Sequence, residues 1–172
     1  MENGNNRSIY IISGPYGVGK STITQGLAQG MDKVALIEGD QLKLMYKGKN
    51  PPTREEESSI VWKNIFSLTW NFVENNIDVI IDHVVRTELE WFPMYFSDIN
   101  VKIYYVVLCA DENTLISRLN ERGDDFLIEG SLMLLYKLKN FLPNKNYFYD
   151  TTNKLPVQII QDLKSRFHQF CL

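Results

Sequence analysis

Five short apolar runs divide the chain, and the segments between them carry helical signals. The runs cover residues 9–12, 34–37, 79–81, 101–108 and 147–149. The first four are rich in Val, Ile or Tyr, and most of them do not alternate with polar residues, which is typical of parallel strands buried on both faces. The strand signal of the fifth run is weaker. The pattern predicts five strands.

Capping signals and helical spacing predict the helices. A helix over residues 21–29 should stop at Gly30. The capping box that begins at Thr53 opens a long helix to about residue 75, and a second box at Thr87 opens a helix that Pro93 cuts short. Asp111 should cap a helix to about residue 122. Two further helices are expected over residues 131–140 and 157–167. Strands that alternate with helices predict an α/β three-layer sandwich around a five-stranded parallel sheet.

Composition narrows the class of protein. A length of 172 residues fits a single domain, 1–172, and the 44% hydrophobic and 23% charged residues suit a globular protein. The net charge of −3 gives no general attraction to nucleic acid or to anionic membrane, so neither is expected as a partner. Two cysteines are too few for a disulfide framework, and no apolar stretch is long enough to span a bilayer. We therefore expect a cytoplasmic monomer or homodimer.

The segment after the first strand carries the most specific chemistry. Residues 14–21 read GPYGVGKS, which matches the Walker A pattern G-x-x-x-x-G-K-[ST] and falls between a strand and a helix, as that pattern requires. Such a P-loop turns backbone N–H groups toward phosphates, while Lys20 reaches the β- and γ-phosphates and the Ser21 hydroxyl ligates Mg²⁺. The expected ligand is Mg-ATP. The residues expected to bind it are Gly14, Pro15, Tyr16, Gly17, Val18, Gly19, Lys20, Ser21 and Thr22.

The stretch ISGPYGVGKST resembles the loop of P-loop small-molecule kinases with a nucleoside-monophosphate-kinase-like fold, such as gluconate kinase, shikimate kinase and chloramphenicol phosphotransferase. The resemblance implies phosphoryl transfer from ATP to a hydroxyl group, and a short lid, here about residues 122–130. It also implies an acceptor-side subdomain, here about residues 41–76.

Ends of the second and third strands carry candidate acceptor-side residues. Glu38-Gly39-Asp40 stands where the resembling kinases have an acid that faces the acceptor hydroxyl, so that role passes to Asp40, which alternatively caps the next helix. Glu38 would then help to order water around Mg²⁺. Asp82 either lies on the Mg²⁺ side or borders the acceptor, and otherwise caps a turn. His83 and Arg86 follow on the same loop and could bind an anionic or polyhydroxyl acceptor.

The later segments supply the lid and the adenine loop. Arg118 and Arg122 share a helix face, and the resemblance implies that Arg118 lies against adenine and Arg122 clamps phosphate. The acidic stretch 123–126 departs from the family pattern, so the clamp rests on Arg122 alone or on Arg86 or Lys137. The segment 150–153, DTTN, resembles the loop that passes the adenine, which assigns Thr152 and Asn153 to the nucleotide.

Together these features predict an ATP-dependent kinase with Lys20, Asp40 and Arg122 as catalytic residues and a small-molecule acceptor such as a sugar acid, nucleoside, shikimate-like compound or antibiotic. The alternatives are a polynucleotide 5′-hydroxyl kinase, a nucleotide-sugar kinase, and a nucleotide-dependent switch without an acceptor. The aromatic stripe of Trp62, Phe66 and Trp70 is expected in the core rather than in a substrate pocket.

Overall fold

The computed structural model describes residues 7–172, in which five parallel strands form one sheet in the order β2-β3-β1-β4-β5. The strands are β1 (Arg7–Ser13), β2 (Val34–Glu38), β3 (Asp78–Asp82), β4 (Val101–Cys109) and β5 (Phe148–Asp150). The central strand β1 pairs with β3 from Ile9↔Val79 and with β4 from Arg7↔Val101. β2 and β3 lie on one side of β1, and β4 and β5 lie on the other, so the chain changes its direction of travel across the sheet at β1. Ligands bind beyond the carboxyl ends of strands at such a point.

Helices cover both faces of the sheet. They are α1 (Lys20–Ala28), α2 (Gly39–Leu44), α3 (Arg54–Glu74), α4 (Glu112–Glu121), α5 (Ile128–Asn140) and α6 (Pro156–Arg166). Alternate strand residues point to opposite faces. Ile9 and Ile11 of β1 therefore join a core cluster with α3, whereas Ile12 joins a second cluster with α1 and α6. The predicted three-layer α/β sandwich is confirmed. Among residues 7–172, no helix combines the length and apolar character that a membrane span requires.

Two of the three predicted caps are present. The Thr53 hydroxyl accepts a hydrogen bond from the Glu56 N–H at 3.3 Å, and the Glu56 carboxylate accepts from the Thr53 N–H at 2.8 Å, which opens α3. Asp111 accepts from the Thr114 N–H at 2.7 Å and caps α4.

The capping box predicted at Thr87 is wrong. Its hydroxyl makes no cap hydrogen bond, and two short 3₁₀ turns, Glu88–Glu90 and Pro93–Phe96, replace the expected helix. The buried Glu88 carboxylate instead accepts a hydrogen bond from the Arg86 N–H. Pro93 lacks an N–H and leaves too little chain for a regular helix before it.

Helix α5 begins at Ile128, three residues before the predicted start. Only residues 122–127 of the segment expected as a lid therefore lie between α4 and α5, and Asp125–Leu127 form a 3₁₀ turn within it.

Candidate active site

The P-loop leaves the carboxyl end of β1 and enters α1 through backbone conformations that require glycine. Gly14, Gly17 and Gly19 have φ values of 146°, 75° and 102°. A Cβ atom on Gly14 would lie 2.5 Å from the carbonyl oxygen of Leu108, so the loop passes too close to β4 for any side chain. Gly19 is the N-cap of α1, and the first turn of α1 carries neither a side-chain cap nor an acidic residue. The amino end of α1 is therefore suited to bind an anion.

Lys20 folds back over this loop. Its Nζ donates hydrogen bonds to the carbonyl oxygens of Gly14 at 2.9 Å and Pro15 at 3.0 Å. Desolvation lowers the pKa of Lys20, while the nearby carboxylates of Asp82 and Asp40 act in the opposite direction. The ammonium group thus lies at the mouth of the loop, where it can transfer its hydrogen bonds from carbonyl groups to phosphate oxygens.

Asp82 lies at the end of β3, beside the start of α1. Desolvation raises the pKa of its buried carboxyl group, and the Lys20 charge and a hydrogen bond from the Ser21 hydroxyl partly offset this effect. The Thr24 hydroxyl approaches the same carboxylate at 3.4 Å. A carboxylate next to a serine hydroxyl forms an oxygen donor pair that fits Mg²⁺, an ion that commonly takes one or two carboxylates and completes its shell with phosphate and water.

Asp40 lies in the first turn of α2 and is largely exposed. It forms an ion pair with Lys43 at 2.7 Å. Desolvation opposes its ionisation, but the hydrogen bond and charge of Lys43, with help from His83 and Lys20, hold its pKa below the usual carboxyl value. The alternative role as helix cap does not apply, because the N-cap of α2 is Glu38. The Glu38 carboxylate accepts a hydrogen bond from Gln25 at 3.2 Å.

His83 and Arg86 point to different environments although they share one loop. The buried His83 imidazole contacts Gly39, on which a Cβ would lie 2.2 Å from Nδ1, and its ring centroid lies 5.6 Å from that of Trp62. Desolvation lowers the pKa of His83 to about 4, so the ring is neutral at pH 7. Arg86 is exposed, and its Nη1 approaches the Ser58 hydroxyl at 3.3 Å.

A pocket of about 560 Å³ adjoins the P-loop on the side of α4 and α6. Its lining includes P-loop residues 17–19, Thr22, Arg118, Arg122 and Asn153. Arg118 connects the P-loop to the segment that precedes Asn153, since its guanidinium donates to the Val18 carbonyl at 3.3 Å, the Thr151 hydroxyl at 3.1 Å and the Thr151 carbonyl at 3.0 Å.

Two residues assigned to the nucleotide differ in their surroundings. Asn153 lines this pocket in a left-handed conformation with φ 56°. The Thr152 hydroxyl is outside the pocket lining. It accepts a hydrogen bond from the Asp111 N–H at 3.0 Å, which connects the loop after β5 to the N-cap residue of α4. Arg122 forms an ion pair with Asp124 at 2.7 Å.

A larger cleft of about 910 Å³ opens on the opposite side of the loop, where Tyr16 forms part of its wall. Its other walls come from α3, from the connection between β3 and β4, and from α5. The cleft contains five aromatic residues (Tyr16, Trp62, Phe66, Trp91 and Tyr95) and four basic residues (Arg54, Lys63, Arg86 and Lys137). We call it the aromatic cleft.

Sequence reasoning missed most of the aromatic cleft. Lys63, Trp91 and Tyr95 were not singled out, and Arg86 and Lys137 line this cleft rather than the pocket that contains Arg122. One available signal was the spacing of Arg54, Ser58, Trp62 and Phe66, which places polar and aromatic side chains on one face of α3. The expectation that the stripe is core holds for Trp62, which is 2% exposed, but Trp62 and Phe66 also line the cleft.

The fold and the loop define an α/β protein of the P-loop nucleotide-binding class. The sequence profile described as "AAA domain" matches residues 11–128, and the chain belongs to this family. No curated protein matches the chain.

Solved structures with the same fold include P-loop kinases. A gluconokinase from Sinorhizobium meliloti 1021 is 16% identical, with a TM-score of 0.67 over 95% of this chain and 92% of that one. The tunicamycin resistance protein of Deinococcus radiodurans is 15% identical, with a TM-score of 0.65 over 94% and 95% of the two chains. A chain of the Pnkp1/Rnl/Hen1 RNA repair complex is 20% identical, with a TM-score of 0.60 over 81% of this chain but only 48% of that one. At these identities the likeness establishes the fold alone.

Proposed function

We propose that the protein is an ATP-dependent phosphotransferase that moves the γ-phosphoryl group of ATP to a hydroxyl group of a small molecule. One observation carries the proposal: the P-loop separates two cavities that share no lining residue. The pocket at Arg118 and Asn153 would take the nucleoside of ATP, and the cleft beyond Tyr16 would take the acceptor. A switch that only binds and hydrolyses a nucleotide has no need of the second cavity.

The reaction breaks the bond between the γ-phosphorus and the oxygen that bridges it to the β-phosphate, and ADP leaves with that oxygen. The acceptor oxygen forms the new bond to phosphorus and gives up its proton. Lys20 would donate to the β- and γ-phosphate oxygens, and Arg122 would stabilise charge on the transferring group after leaving Asp124. Ser21 and Asp82 would hold Mg²⁺, which neutralises phosphate charge when it is bound.

Asp40 is the proposed partner of the acceptor hydroxyl. It lies outside the lining of the aromatic cleft but close enough to Lys20 to act on its charge, so the acceptor hydroxyl would have to extend from the cleft toward the P-loop. Its lowered pKa makes it a weak base, so its main contribution would be to orient the hydroxyl and receive the proton late in the transfer. Phosphoryl transfer has a loose transition state, in which positioning matters more than proton removal. We expect Asp40→Asn to lower the transfer rate by about 10²-fold or more with near-normal Mg-ATP binding. Asp82→Asn should weaken Mg-ATP binding itself.

The two carboxylates can be told apart by measuring nucleotide affinity and transfer rate on the same preparations. A wild-type transfer rate in Asp40→Asn would remove Asp40 from the acceptor site and make Asp82 the candidate base. Loss of nucleotide binding in Asp40→Asn would place Asp40 on the Mg²⁺ side instead.

A screen with radiolabelled ATP tests the proposal directly. Sugars, sugar acids, nucleosides and hydroxylated antibiotics are offered as acceptors, and Lys20→Ala serves as the inactive variant. Lys102→Ala, at an exposed position on β4, is the matched control. Transfer that is absent from Lys20→Ala and normal in Lys102→Ala supports the proposal. Equal transfer by a folded Lys20→Ala protein contradicts it.

A polynucleotide 5′-hydroxyl kinase is the second candidate, because one structure with the same fold belongs to an RNA repair complex. A 5′-hydroxyl oligonucleotide is therefore included in the screen at two salt concentrations, since contacts to phosphate weaken as salt rises. Preferential labelling of the oligonucleotide would favour this candidate. Slow hydrolysis that no acceptor stimulates would favour a nucleotide-dependent switch.

A further inference from the structure

We propose that the aromatic cleft binds a molecule that combines a planar ring, a hydroxyl group and an anionic group. The inference rests on the proposed function, because it names the class of acceptor that this kinase would use. It differs from the sugar-acid expectation, since an open-chain sugar acid has no ring. The volume of about 910 Å³ lies at the upper end of the range for small-molecule sites, which is roughly 300–1,000 Å³.

Aromatic side chains form a connected wall in this cleft. The ring centroids of Phe66 and Tyr95 are 4.9 Å apart, those of Trp91 and Tyr95 are 5.8 Å apart, and those of Trp62 and Trp91 are 6.4 Å apart. Tyr95 is 57% exposed, so a large ring surface remains accessible. Accessible aromatic faces and edges of this kind favour a ligand ring that stacks or packs edge to face. A chain of hydroxyl groups would lose water there without an equivalent gain.

Positive charge is concentrated in the same place. The cleft lining contains four basic side chains and two carboxylates, Glu55 and Glu88, and is therefore net positive, although the whole chain has a net charge of −3. Within residues 7–172, none of the four basic side chains makes an ion pair with a carboxylate. The Glu88 carboxylate already accepts a hydrogen bond from the Arg86 N–H. Guanidinium and ammonium groups that lack a carboxylate partner would therefore attract an anion, and Arg86, whose Nη1 donates to the Ser58 hydroxyl, could turn toward a carboxylate or phosphate and hold it in a bidentate pair.

Binding, rather than turnover, gives the cleanest test. Calorimetry with the nucleotide site saturated by Mg²⁺ and a non-hydrolysable ATP analogue confines the probes to the cleft. Uridine 5′-monophosphate carries ring, hydroxyls and phosphate, and 4-hydroxyphenylacetate carries ring, hydroxyl and carboxylate. Uridine lacks the anion, and gluconate lacks the ring. We expect one of the first two probes to bind at least tenfold more tightly than both uridine and gluconate. Tighter binding of uridine 5′-monophosphate would indicate a phosphate ligand, and tighter binding of 4-hydroxyphenylacetate would indicate a carboxylate ligand.

Two pairs of variants assign the binding to the cleft. Arg86→Gln should weaken binding of the preferred anion about tenfold and leave uridine unchanged. Tyr95→Leu should weaken binding of the preferred anion and also binding of uridine. The matched controls are Lys139→Gln and Tyr136→Leu, two exposed residues of α5 outside the cleft lining, and neither should have an effect. Thermal unfolding of each variant verifies that it is folded.

Three results would overturn the inference: gluconate binding as tightly as the ring-bearing anions, the same affinity in Arg86→Gln as in the wild type, or no binding of either ring-bearing anion at millimolar concentration. The proposed function fails in a different way. If a ring-bearing anion binds in the cleft but labelled phosphate never reaches any hydroxyl, the kinase proposal is wrong and the cleft inference stands. If labelled phosphate reaches a ringless polyol, and no ring-bearing anion competes with that polyol, the cleft inference is wrong and the kinase proposal stands.

Discussion

Arg118 offers a quantitative test of how the nucleotide pocket is held together. Arg118→Met keeps most of the apolar stem and removes the guanidinium, which donates two hydrogen bonds of 3.0–3.1 Å to Thr151 and a longer one of 3.3 Å to Val18. Hydrogen bonds from a charged group contribute about 1.5–3 kcal/mol each. Because the guanidinium is only partly buried, we count the two shorter bonds at the low end of that range. The expected loss of unfolding free energy is about 3 kcal/mol, or roughly 6–12 °C in melting temperature for a domain of this size.

The assay combines urea unfolding with measurement of the affinity for a non-hydrolysable ATP analogue. Arg118→Met should lose both stability and nucleotide affinity, because the P-loop and the segment that leads to Asn153 are no longer connected. Arg122→Met, one turn further along and exposed, should lose transfer rate with little change in stability. The structural role of Arg118 would be refuted if Arg118→Met had unchanged nucleotide affinity and an unfolding free energy within about 0.5 kcal/mol of the wild type. A change of that size is no larger than the effect of a neutral surface substitution.

Three further predictions concern the loop and the segment after α4. Gly14→Ala should be about 1–3 kcal/mol less stable than Gly19→Ala in denaturant unfolding, because only the Cβ at Gly14 meets a carbonyl oxygen of β4, and equal stabilities would contradict this. Asp124→Asn should increase ATP affinity or transfer rate a few-fold by releasing Arg122, with stability within about 1 kcal/mol, as expected for an ion pair in which Arg122 is exposed and Asp124 half-buried; a decrease in both the affinity and the rate would show that the pair is needed. Hydrogen exchange across residues 122–127 should slow when Mg²⁺ and the ATP analogue bind, and unchanged exchange would argue against a lid there.

Fold prediction succeeded where the signal is local. The apolar runs lie within or overlap the five strands, and the Thr53 and Asp111 caps were readable because the donor and acceptor are three residues apart. The same local pattern misled at Thr87, because Glu88 takes a hydrogen bond from a neighbouring backbone group and Pro93 limits the helix. The sequence pattern places the start of α5 three residues too late, because Ile128 and Glu129 carry no capping signal that could mark it.

Site prediction succeeded for the P-loop and only in part elsewhere. Residues 14–19 lead directly from β1 to Lys20 and Ser21 at the start of α1, so the neighbourhood of these two side chains follows from the chain itself. The different environments of His83 and Arg86 depend on α2 and α3, which pack above the loop, and no spacing rule expresses that. The aromatic cleft was least predictable, because Arg54, Tyr95 and Lys137 come from three distant segments.

The separation of the two cavities by the P-loop has a kinetic consequence. Tyr16 borders one cavity and the next three residues border the other, so neither ligand needs to pass through the binding site of its partner. For the proposed kinase, either ligand can therefore enter the empty protein first, and either product can leave first. Initial-rate plots should show intersecting lines of a random sequential mechanism, rather than the parallel lines of an enzyme that stores the phosphoryl group on itself. An excess of one ligand should then not block entry of the other.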